Sequence, residues 1–386
     1  AAAGNNTLTA PTGTGTLVIK DGSGAIGITS VQATNANFSG TTRVTTGIST
    51  TLQVGGVNVL NSDGVNTTGI VTAKTFVPTE GQLSHRNLVI NGAMRVAQRG
   101  TSFTATGDEY TVDRWRHSHG SSFNFDTTTT QESSGPDGFT NSLKITPDSV
   151  VTPSGGENGI IEHYIEGQNV QGLAFGTSSA KNITISFYAK SAATNANDQY
   201  TMWVQLYNSA GNRFIQNKAF TVTASWQRFS LTFTGNASEN IINANTLGLR
   251  LGWILASGPD DIAAAKTSWE DSNFWRSVTG QSNFMDNTSN EFHLTGVQVE
   301  EGSVATPFEY RTYGDDLKNC KRYYQQYPEL AADGYAPYPG SGAAIMTTTS
   351  AGWAMNYDTM RAAPTVSWTG NHRMVELNAD RAVTGF

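Results

Sequence analysis

Five alternating apolar residues, Leu247, Leu249, Leu251, Trp253 and Leu255, constrain the fold more than any other feature of the chain. A β-strand sends successive side chains to opposite faces, so this period of two demands a strand with one wholly apolar face. That face must be covered by a second layer. The alternation returns at Leu143 and Ile145, at Ile183, Ile185 and Phe187, and at Phe229, Leu231 and Phe233. Between Tyr200 and Tyr207 both faces are apolar or aromatic: Met202, Val204 and Leu206 on one, Trp203 and Tyr207 on the other. Loops rich in Gly, Asn, Ser, Asp and Pro separate these runs, as at 134–138 and 257–260. No helical period intervenes. The expected class is all-β, with an antiparallel β-sandwich or jelly roll over residues 81–313.

The stretch from Thr295 to Arg311 reads as the closing strand of this sandwich followed by a fixed exit, in which Glu300-Glu301-Gly302 turns the chain out. Phe292 and Leu294 share one parity, Val297 and Val299 the other. The switch at Thr295-Gly296 predicts a β-bulge at Gly296, where glycine tolerates the required backbone angles. Beyond it, Pro307 cannot donate a ladder hydrogen bond, which places Phe308 and Tyr310 along a sheet edge. The opening segment, Asn87 to Phe103, begins with a strand-like Leu88/Ile90 pair and an Asn91-Gly92 turn. In the following Tyr110–Arg116 segment, Trp115 is expected to point inward and Arg114 and Arg116 outward.

Residues 1–80 differ in kind. They hold two of the 38 aromatics, Phe38 and Phe76, with 18 Thr, 12 Gly and six charges that cancel. Short apolar bursts flank turn signals at Gly55-Gly56 and Asp63-Gly64, and Ile28–Phe38 loosely echoes Ile70–Phe76. Fixing a residue's backbone costs about 1–2 kcal/mol, which so little apolar surface cannot offset within one chain. The segment is expected to be an intertwined fibrous β shaft formed with other copies. A flexible Gly/Thr linker and an independent small β domain are the alternatives. Low charge and many β-branched residues set it apart from ordinary disorder.

Over 386 residues the formal net charge is −7, and no Lys/Arg run interleaves with aromatics, so a nucleic-acid partner is not expected. Charged residues make up 14% of the chain, against roughly 25% in an ordinary globular domain, a composition suited to strands and turns. Cys320 is the sole cysteine, which rules out an intrachain disulfide. No apolar run reaches the roughly 18 residues of a membrane span. The first residues have neither a basic region nor an apolar core, so they are not read as a secretory signal, and without an initiator Met they are read as part of a processed or longer chain.

Three motif groups, N-L-V-I-N-G…Q-R-G-T-S-F (Asn87–Phe103), the D-R-W strand (Tyr110–Arg116) and G-V-Q-V-E-E-G-S-V-A-T-P-F-E-Y-R followed by C-K-R-Y-Y (within Leu294–Tyr324), resemble bacteriophage tail-fibre proteins, and the composition of the shaft segment resembles fibres from phages of marine cyanobacteria. In these a carbohydrate-binding-module-like jelly roll lies distal to a fibrous shaft. The resemblance implies a homotrimer in the virion, joined to other tail proteins through the N-terminal shaft and attached to a host-surface glycan or another envelope component. It supplies no ligand residues. Two other functions stay open: a structural connector, collar or capsid fibre without a receptor site, and a polysaccharide depolymerase.

After the sandwich, residues 314–386 are read as a short helix over 315–327, capped by Asp315 or Asp316, and a C-terminal β tip that is either small or continues past Phe386. Leu317, Cys320 and Tyr324 share one helix face, which packs either on the sandwich or on symmetry mates. Cys320 is read as a small core residue.

The chain lacks a nucleophile elbow and a phosphate loop. His117 and His119 would share a strand face, but no third metal ligand is placed by sequence. Acids at Glu157, Glu162, Glu166, Asp260-Asp261 and Glu270-Asp271 could supply the two carboxyls of glycoside hydrolysis, yet loop acids are usually solvated, so no enzyme is expected. Sugars stack on exposed rings beside amides and acids. That singles out Trp269, Phe274 and Trp275 in one polar stretch, and Tyr335, Tyr338 and Trp353 in another, against the ordinary role of such rings in packing. No cofactor is expected; jelly rolls of this type often hold a structural Ca²⁺ on loop carboxylates and carbonyls, but no loop here shows a dedicated calcium motif.

Overall fold

The computed structural model describes residues 52–54, 57–61, 64–65, 84–120, 123–271, 276–326, 345–346, 351–352, 357–366, 372–376 and 379–383. The chain divides into two compact units, Ala1–Phe76 and Val77–Phe386. In the first, β1 (Leu52–Val54), β2 (Val57–Asn61) and β3 (Gly64–Val65) form an antiparallel meander, with Gly64 of the second turn signal paired to Asn61. The shaft as a whole lies outside the described residues.

The second unit is built on strands β4 (Ser102–Ala105), β5 (Glu109–Tyr110), β6 (Trp115–Gly120), β7 (Thr127–Glu132), β8 (Ser142–Pro147) and β9 (Asn158–Glu166). It continues with β10 (Ile183–Ser191), β11 (Gln199–Tyr207), β12 (Arg213–Thr221), β13 (Gln227–Phe233) and β14 (Leu247–Ser257). The short pieces β15 (Ile262–Ala263), β16 (Glu270–Asp271) and β17 (Ser277–Val278) precede the closing strand β18 (Phe292–Glu301). One antiparallel sheet runs β13-β10-β18-β8-β7-β4, the other β16-β12-β11-β14-β9-β6-β5.

The sequence periodicity sets the core. Ile183, Ile185 and Phe187 stand directly opposite Phe233, Leu231 and Phe229 on β13. From the other sheet, Met202, Val204, Leu206, Leu249, Leu251, Trp253 and Leu255 enter the same fully buried cluster. Trp253 meets Trp115 and Phe187 at ring separations of 5.5 Å each. The second apolar face of β11 also has a use: Trp203 forms a separate cluster with Ile160, Ile215 and Ile254 on the far side of the seven-stranded sheet.

The bulge forms where the parity switch placed it. Ser186 pairs with Gln298 and Tyr188 with Thr295, so β18 spends one residue more than β10. Gly296 takes φ +60°, and a Cβ there would meet Phe139 and Tyr188 at 2.7 and 2.9 Å. Phe308 and Tyr310 are not in a strand. They pack with Phe139 at 5.0 and 5.4 Å, and Phe139 lies 5.3 Å from Tyr188 on β10, so these rings cover a sheet face rather than extend an edge.

The helix begins earlier and ends sooner than 315–327. Helix α1 covers Tyr313–Lys321, and the Thr312 hydroxyl, not an aspartate, caps it by accepting from the Asp315 N–H at 3.2 Å. Asp316 and Cys320 are its buried residues, one turn apart, whereas Leu317 is half-buried. Burial pushes the Cys320 thiol far above its ordinary pKa, as suits a small packing residue. The helix packs on its own sandwich. The C-terminal pairs β19 (Ile345–Met346) with β20 (Ala351–Gly352), and β21 (His372–Glu376) with β22 (Ala379–Val383), are antiparallel.

Candidate functional site

The opening and closing motifs strap each other. The Asn87 side chain donates to the Val297 carbonyl at 3.1 Å and accepts from Val299 N–H at 3.1 Å. Its own N–H donates to Glu309 at 2.9 Å, and Arg311 donates to the Asn87 and Val89 carbonyls. Asn91, fully buried at φ +59°, donates to the Val96 and Asp113 carbonyls at 2.9 Å each. Its side-chain oxygen accepts from Arg95 and Val96 N–H, and its carbonyl accepts the Trp115 indole N–H at 3.0 Å. These residues close the domain, and Asn87 and Asn91 each have both the oxygen and the nitrogen of the buried side-chain amide paired.

That strap positions a cleft of about 440 Å³ where the N-terminal ends of β6 and β14 and the C-terminal end of β9 meet helix α1. Its walls carry Arg99 and Tyr110, Asp113 and Arg114 from D-R-W, Tyr164 and Glu166 from β9, and Arg322, Tyr323 and Tyr324 from C-K-R-Y-Y. Residues 360–365 complete it.

Each wall is braced. Glu166 accepts from Arg322 Nε and Nη2 at 2.9 Å each, from the Tyr323 hydroxyl at 2.6 Å and from the Gln168 amide at 2.7 Å. Burial pushes its pKa up, but these donors outweigh it and hold the carboxyl below its ordinary value. Asp113 accepts from Gln98 N–H at 2.6 Å and Gln98 Nε2 at 2.7 Å, and burial still leaves its pKa raised. The Arg114 guanidinium lies 3.5 Å from the centre of the Tyr323 ring, and Arg99 stands in the same relation to Tyr324 at 3.5 Å. Arg114 is therefore not an outward-pointing strand residue. It precedes β6 at φ +73°, is 5% exposed, and donates to the Tyr164 carbonyl. Trp115 does point inward. Arg361 N–H donates to the Arg322 carbonyl at 2.8 Å, and Asn245 Nδ2 to the Arg361 carbonyl at 2.9 Å.

A second constellation lies beside the first on the outer face of the seven-stranded sheet. The Glu162 carboxylate, fully buried, takes Arg116 at 3.0 Å, the Tyr164 hydroxyl at 2.9 Å and Arg250. Trp203 lies across Gly252, where any Cβ would strike the indole. This is a paired ionic network with no spare carboxylate.

The rings singled out in the sequence are placed as follows. Trp269 is half-buried, donates its indole N–H to the Thr234 carbonyl at 2.7 Å, and meets Phe175 edge-on at 5.5 Å. Phe274, Trp275, Tyr335, Tyr338 and Trp353 lie outside the described residues. His117 faces the core, stacked on Phe125 at 4.7 Å. Among the described residues no group of three His, Cys, Asp or Glu is placed to hold a metal. The cleft residues were missed as ligand candidates, although Arg114, Arg322, Tyr323 and Tyr324 all belong to the motifs already noted. Nothing in a linear motif says that two of them, some 200 residues apart, share a wall.

No known family profile matches the chain, and no curated protein does. Among solved structures it is similar to the enzymatically active domain of tailspike protein 4 of bacteriophage CBA120, at 12% identity and a TM-score of 0.30 over 56% of this chain. It spans only 21% of that tailspike chain. The CBM22-1 xylan-binding domain of Paenibacillus barcinonensis matches at 12% identity and a TM-score of 0.30, over 59% of this chain and all of that one. A family 11 carbohydrate-binding module from Clostridium thermocellum, in complex with a mixed-linked tetrasaccharide, matches at 11% identity and 0.28, over 53% and 97%. Likeness at this level identifies neither a family nor a ligand.

Proposed function

We propose that the sandwich is a glycan-binding domain and that the chain acts as a homotrimeric tail-fibre subunit in the virion, attaching it to the host surface. One observation carries the binding reading: a 440 Å³ cleft, within the ordinary range for small-ligand sites, walled by four tyrosines among arginines, carboxylates and an asparagine. Rings give a sugar its stacking platform and the polar groups meet its hydroxyls. The fibre assignment rests on the motif resemblance and on the aromatic-poor first 80 residues. Binding without cleavage is favoured because both cleft carboxylates are already engaged, Glu166 by four donors and Asp113 by the Gln98 N–H and side-chain amide. Weak contacts repeated over three chains would gain by avidity.

A glycan-array screen of the intact protein tests the binding function, with reducing-end release as the readout for a depolymerase. Binding lost on blocking the cleft supports it. Binding to no glycan would leave a structural connector, which the half-buried packing of Trp269 also suits. Sedimentation of the full chain as a compact single copy would refute the fibre assignment.

A further inference from the structure

We infer that the cleft takes an acidic sugar, one bearing a carboxylate, sulfate or phosphate; this rests on the glycan-binding function proposed above. The lining holds four arginines, Arg99, Arg114, Arg322 and Arg361, and two carboxylates, Asp113 and Glu166. The excess of positive charge sits in a chain whose formal net charge is −7. Most of the negative charge is also spent. Glu166 is matched by Arg322 in a two-point pair. Asp113 takes its short bonds from Gln98 and stands 3.9 Å from Arg99.

Two guanidinium groups are left with donors to spare. Arg99 makes no hydrogen bond among the described residues, and its nearest anion is that Asp113 oxygen at 3.9 Å. Arg114, nine-tenths buried, gives one bond to the Tyr164 carbonyl, and its Nε has no acceptor. Both planes are fixed, because each lies 3.5 Å from the centre of a tyrosine ring. A guanidinium stacked by its face keeps its N–H edge for a planar or tetrahedral anion, and its orientation is settled before binding. Burial lowers the pKa of Arg99 against the pull of Asp113, so the site favours a ligand that returns a negative charge beside it. Tyr110 and Tyr164 line the same cleft and supply the ring surface that a free anion would not need.

The full chain is screened on an array that pairs uronic-acid, sialylated, sulfated and phosphorylated glycans with neutral counterparts of the same linkage. Hits are then titrated at low and high NaCl, with inorganic sulfate as competitor. The expected result is binding confined to anionic glycans, weakened by salt, and about tenfold or more weaker in Arg99→Met, which keeps the aliphatic contact with Tyr324 and loses the charge. Arg361→Ala, at an exposed position, tests the same excess charge should Arg99→Met fail to fold, and it is expected to weaken binding in the same direction. Equal binding of the neutral partners, insensitive to salt and to both variants, overturns the acidic class and leaves glycan binding standing. Binding to no glycan overturns both. Competition by inorganic sulfate as strong as by the oligosaccharide overturns the sugar and leaves only an anion site.

Discussion

Removing the charge of Glu166 is the sharpest probe of how the cleft is held. Glu166→Gln keeps the shape but turns an acceptor of four donors into a neutral amide. The carboxylate is 3% exposed and Arg322 is 32% exposed, so the pair is neither fully screened nor fully buried. Hydrogen bonds to a charged group of this kind contribute about 1.5–3 kcal/mol. The loss falls on local opening of residues 322–326 rather than on the sandwich, because Arg322 and Tyr323 follow the last residue of α1. At about 1.4 kcal/mol per tenfold, amide exchange at Tyr323 and Tyr324 should be roughly 10- to 150-fold faster. Exchange in β11 and β14 should be unchanged. The pH dependence carries a sign. The folded pKa of Glu166 lies below the ordinary carboxylate value, so its contribution is complete above about pH 4.5 and is lost as pH falls through the folded value. The wild type should therefore approach the variant's exchange on acidification, and the variant should lack that component. Unaltered exchange at 322–326, or equal acceleration across the core strands, would refute the clasp.

Three further outcomes are expected. Gly296→Ala forces a side chain into φ +60° and against Phe139 and Tyr188; a left-handed non-glycine residue and local overpacking together cost about 2–5 kcal/mol, read as a lowered denaturation midpoint at unchanged slope. Asn91→Ala strands buried partners on Val96, Asp113 and Arg95 and should cost about 3–5 kcal/mol by the same measurement, with Asn91→Asp no rescue because a carboxylate cannot donate to the Val96 and Asp113 carbonyls. Burial holds the pKa of His163 well below 6.5, and burial lowers His117 and His293 as well. The unfolded chain then binds protons first, so stability falls as pH drops below about 6.5, by up to about 1.4 kcal/mol per pH unit for each histidine; His163→Leu should flatten the slope of Tm between pH 7 and 5.5.

The sequence by itself determined the class of fold, the core-facing residues of β10, β11, β13 and β14, and the bulge at Gly296. These follow from a local rule: a strand has a period of two, so any reversal of parity must be repaired where it occurs. It also marked the right motifs. It did not determine their meaning. Asn91-Gly92 reads as a turn and forms one, with the Met94 N–H donating to the Asn91 carbonyl, but only the fold makes Asn91 the buried hub that ties the opening loop to Trp115. Arg114 reads as a surface strand residue, yet it is capped by Tyr323. The α1 boundary moved because a threonine outside the expected helix supplied the cap. Trp269 reads as a sugar platform, and the structure places it half-buried on Phe175. Only tertiary structure could bring Arg99, Glu166 and Tyr323 to one cleft, because charge pairing and ring stacking act over a few ångströms in space, whatever the distance along the chain.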